Sequence, residues 1–231
     1  MPCFAFPRFC RKLGFDGYHQ FKLAFAQEAN VKPISDNITA NDTAFDIFGK
    51  VCEDIYCSLE KTKRAIDQNA LHACCETLLH ADKILVFGLG NSASVAIDAS
   101  HKIFRLGLNA TAYTDNHMQA IAAAHTDKNS AVIGISHSGH SKDIVQSLQI
   151  AKERGATTIS LTSEQKSPLV KVSDIVLHTV SDETNYHILG LNSRITQLAI
   201  IDTIYSFLVC HVDSSKERIS QTESSLRLKK I

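Results

Sequence analysis

The chain has 231 residues, which is enough for one α/β domain of about 130–150 residues and a smaller attachment. The 24 Lys and Arg residues balance the 24 Asp and Glu residues, so net charge draws the chain neither to nucleic acid nor to membranes, and DNA binding would need a local basic patch. The seven cysteines are odd in number and form no Cys-x-x-Cys pair, which argues against a secreted disulfide framework or a metal site and favours the cytoplasm.

Residues 1–31 are predicted to be part of a small helical unit. Within it, residues 8–29 are basic and aromatic, and a turn from Gly14 to Gly17 separates two short helical pieces. The N-terminus contains two prolines within its first seven residues and no apolar run of the length that a signal peptide requires.

Residues 32–81 are predicted to be a linker followed by connecting helices. Residues 32–43 are polar, include Pro33 and have no sustained hydrophobic period, so we place the domain boundary there. From Ala44 to Ile66 the apolar residues follow helical spacing, and a second helix is predicted over residues 69–80. Both helices are expected to pack on the sheet that follows.

Strands and helices alternate over residues 82–212, which predicts an α/β fold with a parallel sheet between helices. Each strand is expected to be almost wholly apolar because both faces are covered. The predicted strands are Lys83–Phe87, Ala110–Tyr113, Ala131–Ile135, Thr157–Leu161 and Ile175–Thr179. The predicted helices are Ser92–Leu106, His117–His125, Lys142–Arg154, Pro168–Val172 and Asn192–His211, the last burying Ile195, Leu198, Ile201, Tyr205 and Leu208. Residues 213–231 are expected to be a C-terminal tail that is solvated outside any helix it forms.

The first strand ends in a turn rich in glycine and serine. Gly88 and Gly90 let the backbone bend and approach a ligand closely, and Ser92 begins the next helix. Both the hydroxyl and the N–H of Ser92 are expected to face an anion, because the start of a helix carries free N–H groups and the positive end of the helix dipole.

The third strand ends in a second turn of the same kind, in which Ser136, Ser138 and Ser141 alternate with His137, Gly139 and His140. In an open parallel sheet, ligands bind at the carboxyl ends of strands near a topological switch point, so the two turns together predict one site for a phosphorylated ligand. Neutral donors suit a phosphate monoester, and the Gly-x-x-x-x-Gly-Lys motif of nucleotide triphosphate sites is absent. A simpler alternative is that these serines only cap their helices.

A dinucleotide site is a competing interpretation of the first turn. Gly88-Leu-Gly-Asn-Ser-Ala93 fits the Rossmann pattern G-x-G-x-x-G/A, and Asp115 follows the second strand at about the distance of a ribose-binding acid. That interpretation leaves the second turn unexplained, so we rank it below phosphosugar binding.

Three motifs in residues 83–210 resemble the sugar isomerase (SIS) domain: Gly88-x-Gly-x-Ser92, Ser136-x-Ser-Gly-x-Ser141 and the block from Asn192 to Asp202. The resemblance implies a five-stranded parallel sheet between helices and the binding of a phosphosugar, with no cofactor. Phosphosugar contacts are implied for Gly90, Asn91, Ser92, Ser136, Ser138, Ser141 and Glu183, and for backbone N–H groups of His137 and Gly139.

Residues 8–22 resemble the end of the helix-turn-helix domain of the RpiR family of bacterial transcriptional regulators, which join that domain to a SIS domain. The resemblance implies a homodimer or homotetramer in which a sugar phosphate controls binding to operator DNA. Only the Arg8-Phe9 end of the family's recognition-helix run is present, and Pro7 cannot continue a helix from before it. An N-terminally truncated regulator is therefore expected, with a DNA-contact remnant of Arg8, Arg11, Lys12 and Lys22.

Some SIS proteins are aldose–ketose isomerases, which need a carboxylate for proton transfer and often a histidine for ring opening. Glu183 and His187, in the loop before the last helix, could fill these roles. An acid there also fits recognition of sugar hydroxyls, and the DNA-binding remnant favours recognition over catalysis. His101 is expected on a helix face rather than at a catalytic centre.

Overall fold

The computed structural model of the chain describes residues 38–181 and 191–227. All four predicted DNA-contact residues (Arg8, Arg11, Lys12 and Lys22) lie outside these ranges, as do Glu183 and His187. The chain divides into two compact units. Of the first unit the structure describes residues 38–51, and the second comprises the described residues from Cys52 onward.

A tight turn in the first unit leads into helix α1, which runs Ala44–Ala65, so its residues from Cys52 onward belong to the second unit. The Thr43 hydroxyl accepts a hydrogen bond from the Asp46 N–H at 3.2 Å, and the Asp46 carboxylate accepts one from the Thr43 N–H at 2.9 Å. This reciprocal pair satisfies N–H groups at the start of the helix that have no intrahelical partner. Thr43, the last residue of the predicted linker, therefore caps α1, which begins at Ala44 as predicted.

The second unit is built on a five-stranded parallel sheet, which confirms the predicted fold class. The strands are β1 (Lys83–Gly88), β2 (Ala110–Tyr113), β3 (Ser130–Ile135), β4 (Thr157–Thr162) and β5 (Ile175–His178), in the order β2-β1-β3-β4-β5. Each boundary lies within one residue of its prediction, because buried apolar runs bounded by turn residues mark strands clearly.

Helices cover both faces of the sheet. After α1 they are α2 (Gln68–His80), α3 (Ser92–Phe104), α4 (Asn116–Ala124), α5 (Lys142–Glu153), α6 (Pro168–Lys171), α7 (Leu191–His211) and α8 (Ser215–Arg227). One hydrophobic cluster joins the sheet to α2, α3 and α7, and a second joins its other face to α4, α5 and α6.

Strand β4 departs from the expectation of wholly apolar strands. Thr158, Ser160 and Thr162 are fully buried, whereas Ile159 and Leu161 pack in the cluster with α2, α3 and α7. Alternation puts the three hydroxyl side chains on the opposite face of the sheet. The hydroxyls of Thr158 and Thr162 donate to the carbonyl oxygens of Val172 and His137, which offsets much of the cost of burial.

Helix α7 buries a face slightly different from the one predicted. Ile195 is 37% exposed, whereas the polar side chains of Thr196 and Gln197 are buried. Further along, Ile201 and Leu208 are buried as expected. At the start of α7, the side that faces the core is therefore shifted by one or two residues from the predicted side, and Thr196 and Gln197 pack there in place of Ile195.

Within the predicted C-terminal tail, residues 215–227 form α8, which is largely exposed but contacts the end of α3. The Arg218 guanidinium donates to the Leu106 carbonyl oxygen at 3.0 Å, and Arg105 forms an ion pair with Glu223. The carbonyl groups at the end of α3 have no intrahelical partner, so a cation there is favourable. Within the described residues no single helix is long and apolar enough to cross a membrane, and only α7 and α8 together reach that length and composition, across a 111° bend.

Candidate functional site

The two glycine- and serine-rich turns leave neighbouring strands at the same edge of the sheet. β1 pairs with β3 in parallel, and Gly88 lies opposite Ile135, the last residue of β3. From β1 the chain crosses to β2 on one side, and from β3 it crosses to β4 on the other. The turns therefore flank the topological switch point, where ligands bind in folds of this class.

Each glycine of the first turn is needed for a different reason. A Cβ at Gly88 would lie 2.5 Å from the Ser92 carbonyl oxygen and 2.9 Å from the Ala96 Cβ, so α3 starts in direct contact with the end of β1. Gly90 has φ +56°, which side chains other than glycine rarely adopt, and lies in open space. The turn is thus fixed on its inner side and accessible on its outer side.

The N–H of Ser92 is already used within the turn, which corrects one expectation. Its N–H donates to the Leu89 carbonyl oxygen at 3.1 Å, and the next N–H, that of Ala93, donates to Gly90 at 3.1 Å. The Ser92 hydroxyl has no hydrogen-bond partner among the residues that the structure describes. Asn91 is exposed and makes no side-chain cap to α3.

The second turn brings two serine hydroxyls together. The Oγ atoms of Ser136 and Ser141 lie 3.0 Å apart, and Ser136 is only 3% exposed. Ser141 occupies the N-cap position of α5 but makes no side-chain cap to it. The alternative in which these serines serve only as helix caps is therefore wrong for Ser141. The first N–H groups of α5 consequently donate no hydrogen bond to the side chain of their cap residue.

Gly139 gives the second turn its shape but not a free donor. Its N–H donates to the Ser136 carbonyl oxygen at 3.1 Å, contrary to the expectation that it faces a ligand, and its φ is +64°. Ser138 is exposed at the tip of the turn, and its N–H has no partner within the described parts of the chain. The His140 Nδ1 atom lies 2.6 Å from the Ser138 carbonyl oxygen.

A third polar segment, at the end of β4, was missed by reasoning from the sequence. The half-buried His137 accepts three hydrogen bonds at its carbonyl oxygen: from the Ser163 N–H and Oγ at 2.9 Å each, and from the Thr162 Oγ1 at 3.1 Å. The run Leu161-Thr162-Ser163 at the end of a strand is the signal that could have indicated it. No local pattern, however, points to a carbonyl group about 25 residues away.

The candidate ribose-binding acid of the dinucleotide alternative has a structural role. Asp115 is the N-cap of α4, and its carboxylate accepts the Met118 N–H at 2.9 Å. His101 is exposed on α3, as expected. In the described residues no group of three or more His, Cys, Asp or Glu side chains could hold a metal ion.

Comparison with solved structures identifies the same architecture. The Vibrio vulnificus NanR protein complexed with ManNAc-6P superposes with a TM-score of 0.79 at 23% identity, covering 97% of this chain and 81% of that one. The RpiR transcription factor from Sphaerobacter thermophilus (sugar isomerase domain) gives 0.68 at 24%, covering 78% and 97%. A phosphoheptose isomerase from Francisella tularensis gives 0.61 at 20%, covering 72% and 98%.

Comparison of sequences goes further. The SIS domain family matches residues 77–206. The chain is 36% identical over 200 residues to an uncharacterized HTH-type transcriptional regulator, TTE0211, of Caldanaerobacter subterraneus subsp. tengcongensis, covering 86% of this chain and 71% of the relative. It is 32% identical over 200 residues to the HTH-type transcriptional regulator HexR of Escherichia coli, covering 85% and 68%. The chain thus belongs to the RpiR-like family of helix-turn-helix transcriptional regulators that carry a SIS domain.

Proposed function

We propose that the chain binds a phosphorylated sugar at the carboxyl ends of β1 and β3, and that this effector controls the regulator's binding to operator DNA. The observation that carries the proposal is the Ser141 hydroxyl, which turns toward Ser136 instead of capping α5. An external anion can take the place of the missing cap at the start of α5. The NanR complex with ManNAc-6P, which has the same fold, supports a sugar phosphate as that anion.

The phosphate would be held by neutral donors. The hydroxyls of Ser92, Ser136, Ser138 and Ser141 would donate to it, and the N–H groups of Ser138 and of the first turn of α5 would complete the site. Hydrogen bonds to a charged group contribute about 1.5–3 kcal/mol each, so a few suffice for an affinity that still permits release. Gly90, Asn91, His137 and Gly139 would shape the turns, and Glu183 would read the sugar hydroxyls.

We further propose that the protein senses its ligand and does not convert it. The relatives named above are regulators, whereas one protein of the same fold is a phosphoheptose isomerase. Incubation with sugar phosphates, followed by NMR of the sugar resonances, separates the two functions. Stoichiometric binding without turnover is expected, and appearance of a ketose or aldose product would establish the isomerase instead.

The protein is proposed to act in the cytoplasm, where a regulator meets operator DNA. Its active form is proposed to be a homodimer or homotetramer, because operators read by helix-turn-helix proteins are usually two-fold symmetric. Light scattering on the purified protein measures its mass directly. A monomer at micromolar concentration in the presence of a bound sugar phosphate would contradict this part of the proposal.

A thermal-shift screen tests the ligand class. The screen includes phosphorylated hexoses, pentoses, amino sugars and sugar acids, with the corresponding unphosphorylated sugars as matched controls and NADH as the probe for dinucleotide binding. A ligand at 100 times its Kd stabilises the folded state by about 2.7 kcal/mol, which raises Tm by several degrees. A rise with at least one phosphorylated sugar and none with its unphosphorylated partner is expected. A rise with NADH alone would overturn the proposal.

A further inference from the structure

The segment from Thr162 to Leu169 packs against the second turn and is hydrogen-bonded to it. Besides the three hydrogen bonds to the His137 carbonyl oxygen, the Leu169 N–H donates to the Gly139 carbonyl oxygen at 3.1 Å. Ser167 is fully buried, and a Cβ at Gly139 would lie 2.2 Å from its Oγ. This one segment thus fixes the carbonyl groups of His137 and Gly139, and it packs against the turn without a gap.

The hydrogen bonds to His137 also fix the direction of the next N–H. In a trans peptide the C=O and the following N–H point in opposite directions within one plane, and the described residues contain no cis peptide bond. Because the His137 carbonyl points at Thr162 and Ser163, the Ser138 N–H points away from them. That N–H is the one at the tip of the turn without a partner among the described residues.

An oxygen that accepts three donors is held more firmly than a typical carbonyl, which has two lone pairs. Reorienting this peptide would leave the donors of the buried Thr162 and the half-buried Ser163 without an acceptor, at the cost of unsatisfied polar groups. The orientation of the Ser138 N–H is therefore set before any ligand arrives, and preorganisation of this kind raises affinity by lowering the cost of ordering.

We propose that Thr162 and Ser163 are positioning residues for the phosphate-binding turn: through the His137 carbonyl they aim the Ser138 N–H at the ligand without touching it. This inference rests on the proposed function and deepens it. The hydroxyls of Thr162 and Ser163 thereby acquire a role in affinity that is separate from their role in packing.

The test uses the double variant Thr162→Val/Ser163→Ala, which removes the two hydroxyl donors and keeps the Ser163 N–H. Binding of inorganic phosphate and of glucose 6-phosphate to the full chain is measured by calorimetry. Affinity is expected to fall about tenfold, since outer residues that orient a ligating group typically contribute 10–100-fold. Thr162→Ser keeps a hydroxyl and is expected to bind within about twofold of wild type.

Thr158→Val is the matched control for packing and stability. Thr158 is fully buried on the same face of the same strand, but its hydroxyl bonds to the Val172 carbonyl and the Asp174 carboxylate, away from the turn. It is expected to lose stability without losing affinity. Should the double variant fail to fold, Ser163→Ala alone decides the question, because it removes one of the 2.9 Å bonds.

Amide hydrogen exchange gives a second measurement. Phosphate is expected to slow exchange of the Ser138 N–H in wild type and in Thr158→Val, and to slow it much less in the double variant. Equal affinity and equal protection in wild type and the double variant would overturn the positioning role while the proposed function stands. Failure of wild type to bind phosphate, glucose 6-phosphate or any sugar of the screen would overturn both.

Discussion

Single residues at the two turns decide what the proposed site can bind. Ser138 is the residue whose hydroxyl and N–H both lie at the exposed tip of the second turn. Its hydroxyl accepts only a long hydrogen bond, 3.3 Å, from the His140 N–H. Replacing its hydroxyl is therefore expected to weaken ligand binding with little effect on the stability of the protein.

Ser138→Ala is expected to weaken binding of a sugar phosphate about tenfold, as loss of one hydrogen bond to a charged group implies, with a change in stability below about 0.5 kcal/mol. Calorimetry and chemical denaturation measure the two effects. Ser225→Ala, an exposed serine of α8 whose hydroxyl donates to Gln221, serves as the matched control. Unchanged affinity would show that the tip of the turn makes no ligand contact.

Gly139→Ala tests the close packing of the second turn. Both Gly139 and Gly155 have positive φ, +64° and +90°, but only at Gly139 would a Cβ clash, at 2.2 Å from Ser167 against 3.9 Å for the nearest atom at Gly155. Gly155→Ala is expected to cost about 1–2 kcal/mol from backbone strain. Gly139→Ala should cost a further ~1–3 kcal/mol from overpacking. Equal losses in urea denaturation would contradict the packing described for Ser167.

At the scale of elements, the Thr62 side chain ties α1 to the residues that follow β5. The buried Thr62 hydroxyl donates to the Val180 carbonyl at 3.1 Å and accepts the Val180 N–H at 2.9 Å. Thr62→Val leaves that backbone N–H without an acceptor, so a loss of about 1–3 kcal/mol is expected in the free energy of unfolding. Thr203→Val, an exposed threonine of α7 whose hydroxyl donates to Ala199, should change stability by much less.

The start of β5 is held by Asp174, which makes stability dependent on pH. Burial raises the pKa of this carboxyl, but hydrogen bonds from Lys152 and Thr158 outweigh it and leave the pKa below 3.8. Its contribution to stability is therefore fully present above that value and is lost as pH falls through the lowered pKa. The difference in unfolding free energy between wild type and Asp174→Asn should be constant near neutral pH and should shrink below about pH 4. A constant difference down to pH 2 would contradict this role.

Elements were predictable where local sequence determines them, and contacts were not. The strand ends and α2 to α7 follow from hydrophobic period and turn residues. The docking of α8 was not predictable, because the Arg218 contact with Leu106 joins positions 112 residues apart and a serine-rich segment carries little hydrophobic pattern. The three hydrogen bonds to the His137 carbonyl oxygen were not predictable for the same reason, because they join residues about 25 positions apart. The N–H groups of Ser92 and Gly139 already donate within their turns. The presence of glycine and serine does not predict this, because it depends on the backbone conformation of each turn.

For the whole molecule, the proposed site lies at the carboxyl ends of β1 and β3, where the chain leaves β1 for α3 on one face of the sheet and leaves β3 for α5 on the other. β1 and β3 are central strands, each paired on both sides, so the edge that carries the two turns is rigid. A site on central strands can change the start of a helix while the sheet itself stays fixed. Effector binding is therefore expected to act through helix ends and loops rather than through the core.

The uncapped start of α5 has a consequence for the protein without ligand. A cap residue contributes about 1 kcal/mol to a helix, and Ser141 gives that contribution up by turning toward Ser136. The first turn of α5 should then open more often than the rest of the helix, until a bound phosphate serves as its cap. The sugar phosphate would then complete the N-terminus of α5. Its binding would be detected as slower hydrogen exchange of the amides of Lys142, Asp143 and Ile144.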